Sequence, residues 1–118
     1  MLISNKPVPN TAIRLELNGE FLICVKTHKH LGLVLNSTLT WSDHVDHIFS
    51  KTSKKLGLLY RFKNRLNRST LVKLYCCWIR PKIEYCSAVY DNLSVFDCLK
   101  LEKLQRRAAL ICISALTR

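Results

Sequence analysis

Ten Lys and Arg side chains fall between His47 and Ile83, and no Asp or Glu falls among them. They are Lys51, Lys54, Lys55, Arg61, Lys63, Arg65, Arg68, Lys73, Arg80 and Lys82. A solvated helix usually mixes signs, because opposite charges four residues apart support each other. A stretch of one sign repels itself until a polyanion offsets it, and phosphate does so while releasing condensed counterions. The chemistry open to this stretch is contact with backbone phosphate. No helix has the Asn and Gln pattern that reads base edges. The charge is uneven along the chain, with a net of +3 over residues 1–60 and +8 over residues 61–118. The bland alternative is a soluble basic face with no partner.

Catalytic constellations are missing. The acids are Glu16, Glu20, Asp43, Asp46, Glu84, Asp91, Asp97 and Glu102, and none form the Asp-Asp or Asp-x-Asp pair that holds two magnesium ions. There is no Gly-rich phosphate cradle. His44 and His47 lie three residues apart and could share a metal with Asp43, but such residues more often cap or pack a helix start. Cys76-Cys77 has no orienting group that would make a nucleophile. The cysteines Cys24, Cys76, Cys77, Cys86, Cys98 and Cys112 include no C-x-x-C pair. They are expected to be reduced, buried thiols; Cys76, Cys98 and Cys112 sit among apolar helical neighbours. No catalytic residue, metal site or cofactor is expected.

The rest of the chain must position the basic stretch. With 118 residues, 48% hydrophobic and 23% charged, the composition is that of one small folded domain or a piece of a larger one. A net charge of +11 favours nucleic acid as partner over a membrane surface. No run of 18 apolar residues exists to span a bilayer. Met1 to Pro9 lacks the apolar core of a signal peptide, so an intracellular location, nuclear or cytoplasmic, is expected.

Up to Asn36 the apolar period is two. Ile13, Leu15 and Leu17 alternate with Arg14 and Glu16, and Asn18-Gly19 separates them from a run at Phe21 to Val25. Asn-Gly between apolar runs is the strongest short hairpin signal. A third run, Leu31 to Leu35, contains Gly32, which suggests a bulge or a close backbone approach. After Asn36 the period becomes 3.6. Ser42 can cap a helix that starts at Asp43. Val45, Ile48, Phe49, Thr52, Leu56, Leu59 and Leu66 fall on one stripe of it, with Lys51, Lys54, Arg61 and Arg65 opposite. A break at Asn64 to Ser69 precedes a second helix from about Thr70, with Leu71, Leu74, Tyr75, Trp78 and Ile79 at helical spacing. Pro81 ends or kinks it, and Ile83 to Tyr90 could continue beyond the kink. Ser94 and Asp97 form a helix start of capping-box type. The last helix carries Leu99, Leu101, Leu104, Ala108, Ile111 and Leu116. The fold class expected is α+β, with an N-terminal β-hairpin or small sheet over residues 1–36 and a mainly helical bundle over residues 37–118.

Five strings occur in order: Lys29-His30-Leu31-Gly32; Leu39-Thr40-Trp41 with His44; Leu74-Tyr75; Arg80-Pro81 with Glu84-Tyr85; and Leu104-Gln105-Arg106-Arg107-Ala108. Their order and spacing resemble the region just after the catalytic palm in reverse transcriptases of non-LTR retrotransposons, the LINE-type, Jockey and CR1-like elements. The resemblance implies a primer-grip-like turn at Lys29, Leu31 and Gly32, and a thumb-like bundle after it. It implies that the basic helix bearing Lys51, Lys54, Arg61 and Arg65 lies along a template–primer duplex, with Lys55, Lys63 and Arg68 as further nucleic-acid-binding residues. An RNA–DNA hybrid or duplex held by backbone contacts is then the partner, with a palm domain beside it in an intact enzyme. Trp41, Tyr75, Trp78 and Tyr85 are expected to pack the bundle. The chain departs from the family pattern at Asn36, where Asp is common, at Cys86, where Gly is usual, and at Tyr90, where Trp is usual. The palm aspartates are absent, so the chain alone is expected to be inactive. Two other readings stand beside this one: an independent basic nucleic-acid-binding module, and a helical protein–protein interaction domain using the apolar C-terminal helix.

Overall fold

The computed structural model describes residues 15–114. Ile13 and Leu116, assigned above to the first strand and the last helix, lie outside them. The chain divides into two compact units, one ending at His44 and the other starting at Val45.

The first unit carries two antiparallel hairpins. In the first, β1 (Glu16–Leu17) pairs with β2 (Glu20–Phe21), Glu16 opposite Phe21 and Leu17 opposite Glu20. Asn18 and Gly19 make the turn with φ of 54° and 84°. Both central residues of a type I′ turn need positive φ, and Asn and Gly tolerate it best. In the second hairpin, β3 (Thr27–His30) pairs with β4 (Leu33–Asn36), from Thr27 opposite Asn36 to His30 opposite Leu33. Here the sequence reading needs correction. Leu31 and Gly32 are not part of a bulged strand; they are the two turn residues, with φ of 46° and 85°. The apolar run from Leu31 to Leu35 masked the turn, because Leu31 supplies no polar turn signal. Leu15, Leu17, Phe21, Leu22 and Ile23 are all exposed. A two-stranded ribbon has only one neighbour per strand and covers neither of its own faces.

The second unit is helical. The helix α1 (Ser42–Phe62) starts at the end of the first unit and forms most of its length here. It is followed by α2 (Arg68–Leu74), a π-helical turn over Tyr75–Ile79, α3 (Arg80–Glu84) and α4 (Val95–Ile113). Two hairpins followed by helices make the fold α+β, as expected. Asn67 caps α2, its side-chain oxygen accepting from the Thr70 N–H at 2.8 Å. Ser94 caps α4 in the same way, accepting from the Asp97 N–H at 3.2 Å. Its hydroxyl donates to the Asp97 carboxylate at 2.7 Å, so the two side chains of the expected pair meet at the helix start.

Pro81 does not stop the chain's helical course. It sits at the start of α3, directly after the π-helical turn. The register is adjusted just upstream, in the π-helical turn. The expected continuation from Ile83 to Tyr90 fails, because α3 ends at Glu84. Cys86 takes φ of 56°, and turns occupy residues 85–89. Buried Tyr90 donates its hydroxyl to the Ile83 carbonyl and closes this turn. Val45, Ile48, Leu56, Leu59, Leu71, Ile79, Leu101, Leu104 and Ala108 form the core.

Candidate nucleic-acid interface

The basic stretch is built from the outside of α1. Val45, Ile48, Thr52, Leu56 and Leu59 recur every three or four residues and are buried. The opposite stripe, Lys51, Lys54 and Arg61, is exposed. Asp43 in the first turn and Arg61 in the last both suit the helix dipole. Lys55 is half-buried. Its ammonium donates to the Trp78 carbonyl at 3.1 Å and lies 5.4 Å from the Trp78 ring centroid. One of its three donors is therefore spent on the bundle.

One expected member of the stripe, Arg65, leaves the helix. Lys63 and Arg65 lie in the turn after Phe62, as does half-buried Leu66. The Arg65 and Leu66 N–H groups donate to the Phe62 carbonyl at 2.9 and 3.0 Å, which closes that turn. Asn67 must be extended, with φ −72° and ψ 161°, to cap α2, so α1 has to end before it. Lys63 places its ammonium 4.7 Å from the Tyr60 ring centroid. Arg65 and Arg68 are exposed, and Arg68 opens α2. The ion pairs among the described residues are Arg80–Glu84 and Lys100–Asp46, each at 2.6 Å. None reaches Lys51, Lys54, Arg61, Lys63, Arg65 or Arg68. Apart from Lys63, whose ammonium faces the Tyr60 ring, their charges are left to solvent or to a ligand.

In the first unit, Lys29, Leu31 and Gly32 lie together at the tip of the second hairpin, all exposed. The strings that follow turn out to have structural work. The Asn36 amide donates to the Thr40 hydroxyl at 2.6 Å and to the Asp43 carboxylate at 3.0 Å. Its oxygen accepts from the Thr40 N–H at 2.8 Å and the Thr38 hydroxyl at 3.2 Å. Nδ1 of buried His44 accepts from the Val34 N–H at 3.3 Å, and its ring meets Trp41 edge-on at 6.2 Å. His44 thus ties β4 to the start of α1. No group of three His, Cys, Asp or Glu able to hold a metal ion occurs among the described residues.

Several burial expectations need correction. Trp78 and Tyr85 are exposed by 45% and 53%, while Trp41 and Tyr75 are half-buried. Of the cysteines only Cys112 is buried; Cys24, Cys76, Cys77 and Cys98 are exposed, and all six are free. Cys76 and Cys77 sit in the π-helical turn, off the face that carries Leu71 and Ile79. Cys98 lies on the outer side of α4. The Asn36 and Tyr90 hydrogen bonds were missed by sequence reasoning. Only the departures at these two positions marked them.

The chain is 29% identical over 94 residues to a protein described as RNA-directed DNA polymerase from mobile element jockey, from Drosophila funebris. The match covers 77% of this chain and 10% of that protein, so the chain spans about a tenth of its relative's length. It supports a relationship to the reverse transcriptases of non-LTR retrotransposons. No family model and no solved structure matches the chain. No helix among the described residues is long and apolar enough to cross a membrane.

Proposed function

We propose that this chain is the post-palm, thumb-like part of an RNA-directed DNA polymerase of a non-LTR mobile element. It holds a template–primer duplex by its phosphates and performs no nucleotide addition itself. The observation that carries this reading is the acid-free stretch from His47 to Ile83, whose Lys51, Lys54, Arg61, Arg65 and Arg68 are exposed without ion pairs among the described residues. The similarity to the jockey polymerase favours an RNA–DNA hybrid over a DNA duplex as the ligand. Lys29, Leu31 and Gly32 would approach the primer end, where the Gly32 turn leaves backbone open to it. The exposed apolar strands of the first hairpin would be covered by a palm domain, which also supplies the metal-binding carboxylates.

The test is to replace Lys51, Lys54 and Arg61 together by Gln. Each phosphate contact contributes about 0.9 to the salt slope, so hybrid binding should weaken and the slope should flatten by about 3. A triple variant that binds with an unchanged slope would show that the duplex lies elsewhere.

A further inference from the structure

The helix α4 is apolar on two opposite sides. Leu101, Leu104, Ala108 and Ile111 are buried on one. On the other, Phe96, Leu99, Lys103, Arg106, Leu110 and Ile113 follow each other at alternating spacings of three and four. The four apolar members are exposed by 66%, 57%, 59% and 62% in chain order. This spacing is the seam by which one helix packs on another. A helix that is apolar on both sides is ordinarily covered on both.

We propose that this outer face of α4 docks an amphipathic helix of a partner protein, apolar at its outer seam positions and carrying carboxylates at its centre. The charge decides the occupant. Lys103 and Arg106 take the two central seam positions, and Lys100 and Arg107 stand beside them. Lys100 is already paired with Asp46, but no ion pair among the described residues reaches Lys103, Arg106 or Arg107. In an antiparallel pair of α4 helices, Phe96 would meet Ile113, Leu99 would meet Leu110, and Lys103 would meet Arg106. The apolar pairs fit and the central cations repel, so a second copy is disfavoured. Phosphate would satisfy the cations but gain nothing from the four apolar residues. An acidic amphipathic helix satisfies both. This surface does not use the α1 stripe, so the proposal stands apart from the duplex-binding reading.

The test uses the full 118-residue chain and two synthetic helical peptides. Each peptide is about 21 residues long, three heptads, with apolar seam positions and either two Glu or two Lys at the centre. The Glu peptide should bind about tenfold or more tighter than the Lys peptide. Leu99→Ser with Leu110→Ser, both at exposed positions, should lose that binding without changing the circular dichroism. Lys103→Glu with Arg106→Glu should reverse the preference between the peptides. Absent or equal binding of the two peptides would overturn the proposal. So would self-association that Leu99→Ser with Leu110→Ser abolishes. Binding of an RNA–DNA hybrid that is lost with Lys103→Glu and Arg106→Glu but kept with Leu99→Ser and Leu110→Ser would assign the face to nucleic acid instead.

Discussion

Asn36 shows why a single side chain can matter more than a motif. Its amide donates twice and accepts twice within the first unit, and Asp43 is one of its acceptors. A carboxylate at position 36 could only accept, and would face Asp43 with like charge. The substitution Asn36→Asp should therefore destabilise the start of α1 above the carboxylate range and much less in acid, as a pH series of local hydrogen exchange would read. Tyr90 acts at the same scale in the second unit. Burial holds its phenol above the ordinary value, with the neighbouring Cys86 and Glu84 adding to the shift. A raised phenol stabilises the fold fully below the unfolded value of about 10, and that contribution is lost as pH rises through the folded value. Tyr90→Phe leaves the Ile83 carbonyl without its donor and should cost about 1–2 kcal/mol in urea unfolding at neutral pH. Neither role was legible beforehand, because both partners are set by a turn that no local pattern specifies. The Asn18-Gly19 turn was legible, because its chemistry is local.

At the scale of elements, periodicity located every long helix. The buried stripe of α1 from Val45 to Leu59 and that of α4 from Leu101 to Ile111 follow the sequence spacing. The misses fall at ends and irregularities. Arg65 and Leu66 continue the period of α1, yet they fall in the break expected at Asn64 to Ser69, where Asn67 caps α2. Trp78 fits regular spacing, yet the π-helical turn puts Ile79 inside and leaves Trp78 exposed. Periodicity has no term for either effect. Gly57 offers a direct check on α1. A Cβ built there meets nothing within 4 Å, and the residue is exposed in mid-helix. Gly57→Ala should therefore stabilise the second unit by about 0.5–1 kcal/mol, read as a higher urea midpoint with an unchanged slope. A loss of stability would mean that α1 needs its glycine for bending.

For the whole molecule, the two units should differ in local stability. Residues 15–31 are exposed throughout, while α1, α2 and α4 share a buried core. Opening free energy follows buried apolar contact. Amides of the first hairpin should exchange fast, and those of Leu56, Leu59, Leu104 and Ala108 should be the slowest. Uniform protection across both units would contradict this. The net charge of +11 also acts at this scale, since it raises the local concentration of any polyanion around the chain. That the charge favours a polyanion was plain from composition. Which cations stand unpaired on a common helix face required the structure.

The measurement that tests the central claim most directly is binding of the purified chain to a labelled RNA–DNA hybrid, titrated from low to physiological salt. Phosphate contact by the exposed cations of α1 and the turn after it predicts a straight line in log–log form. Its slope should be about −4 or steeper, since about 0.9 is lost per neutralised phosphate. No binding at low salt by a chain shown to be folded would contradict the account, and so would binding that does not change with salt.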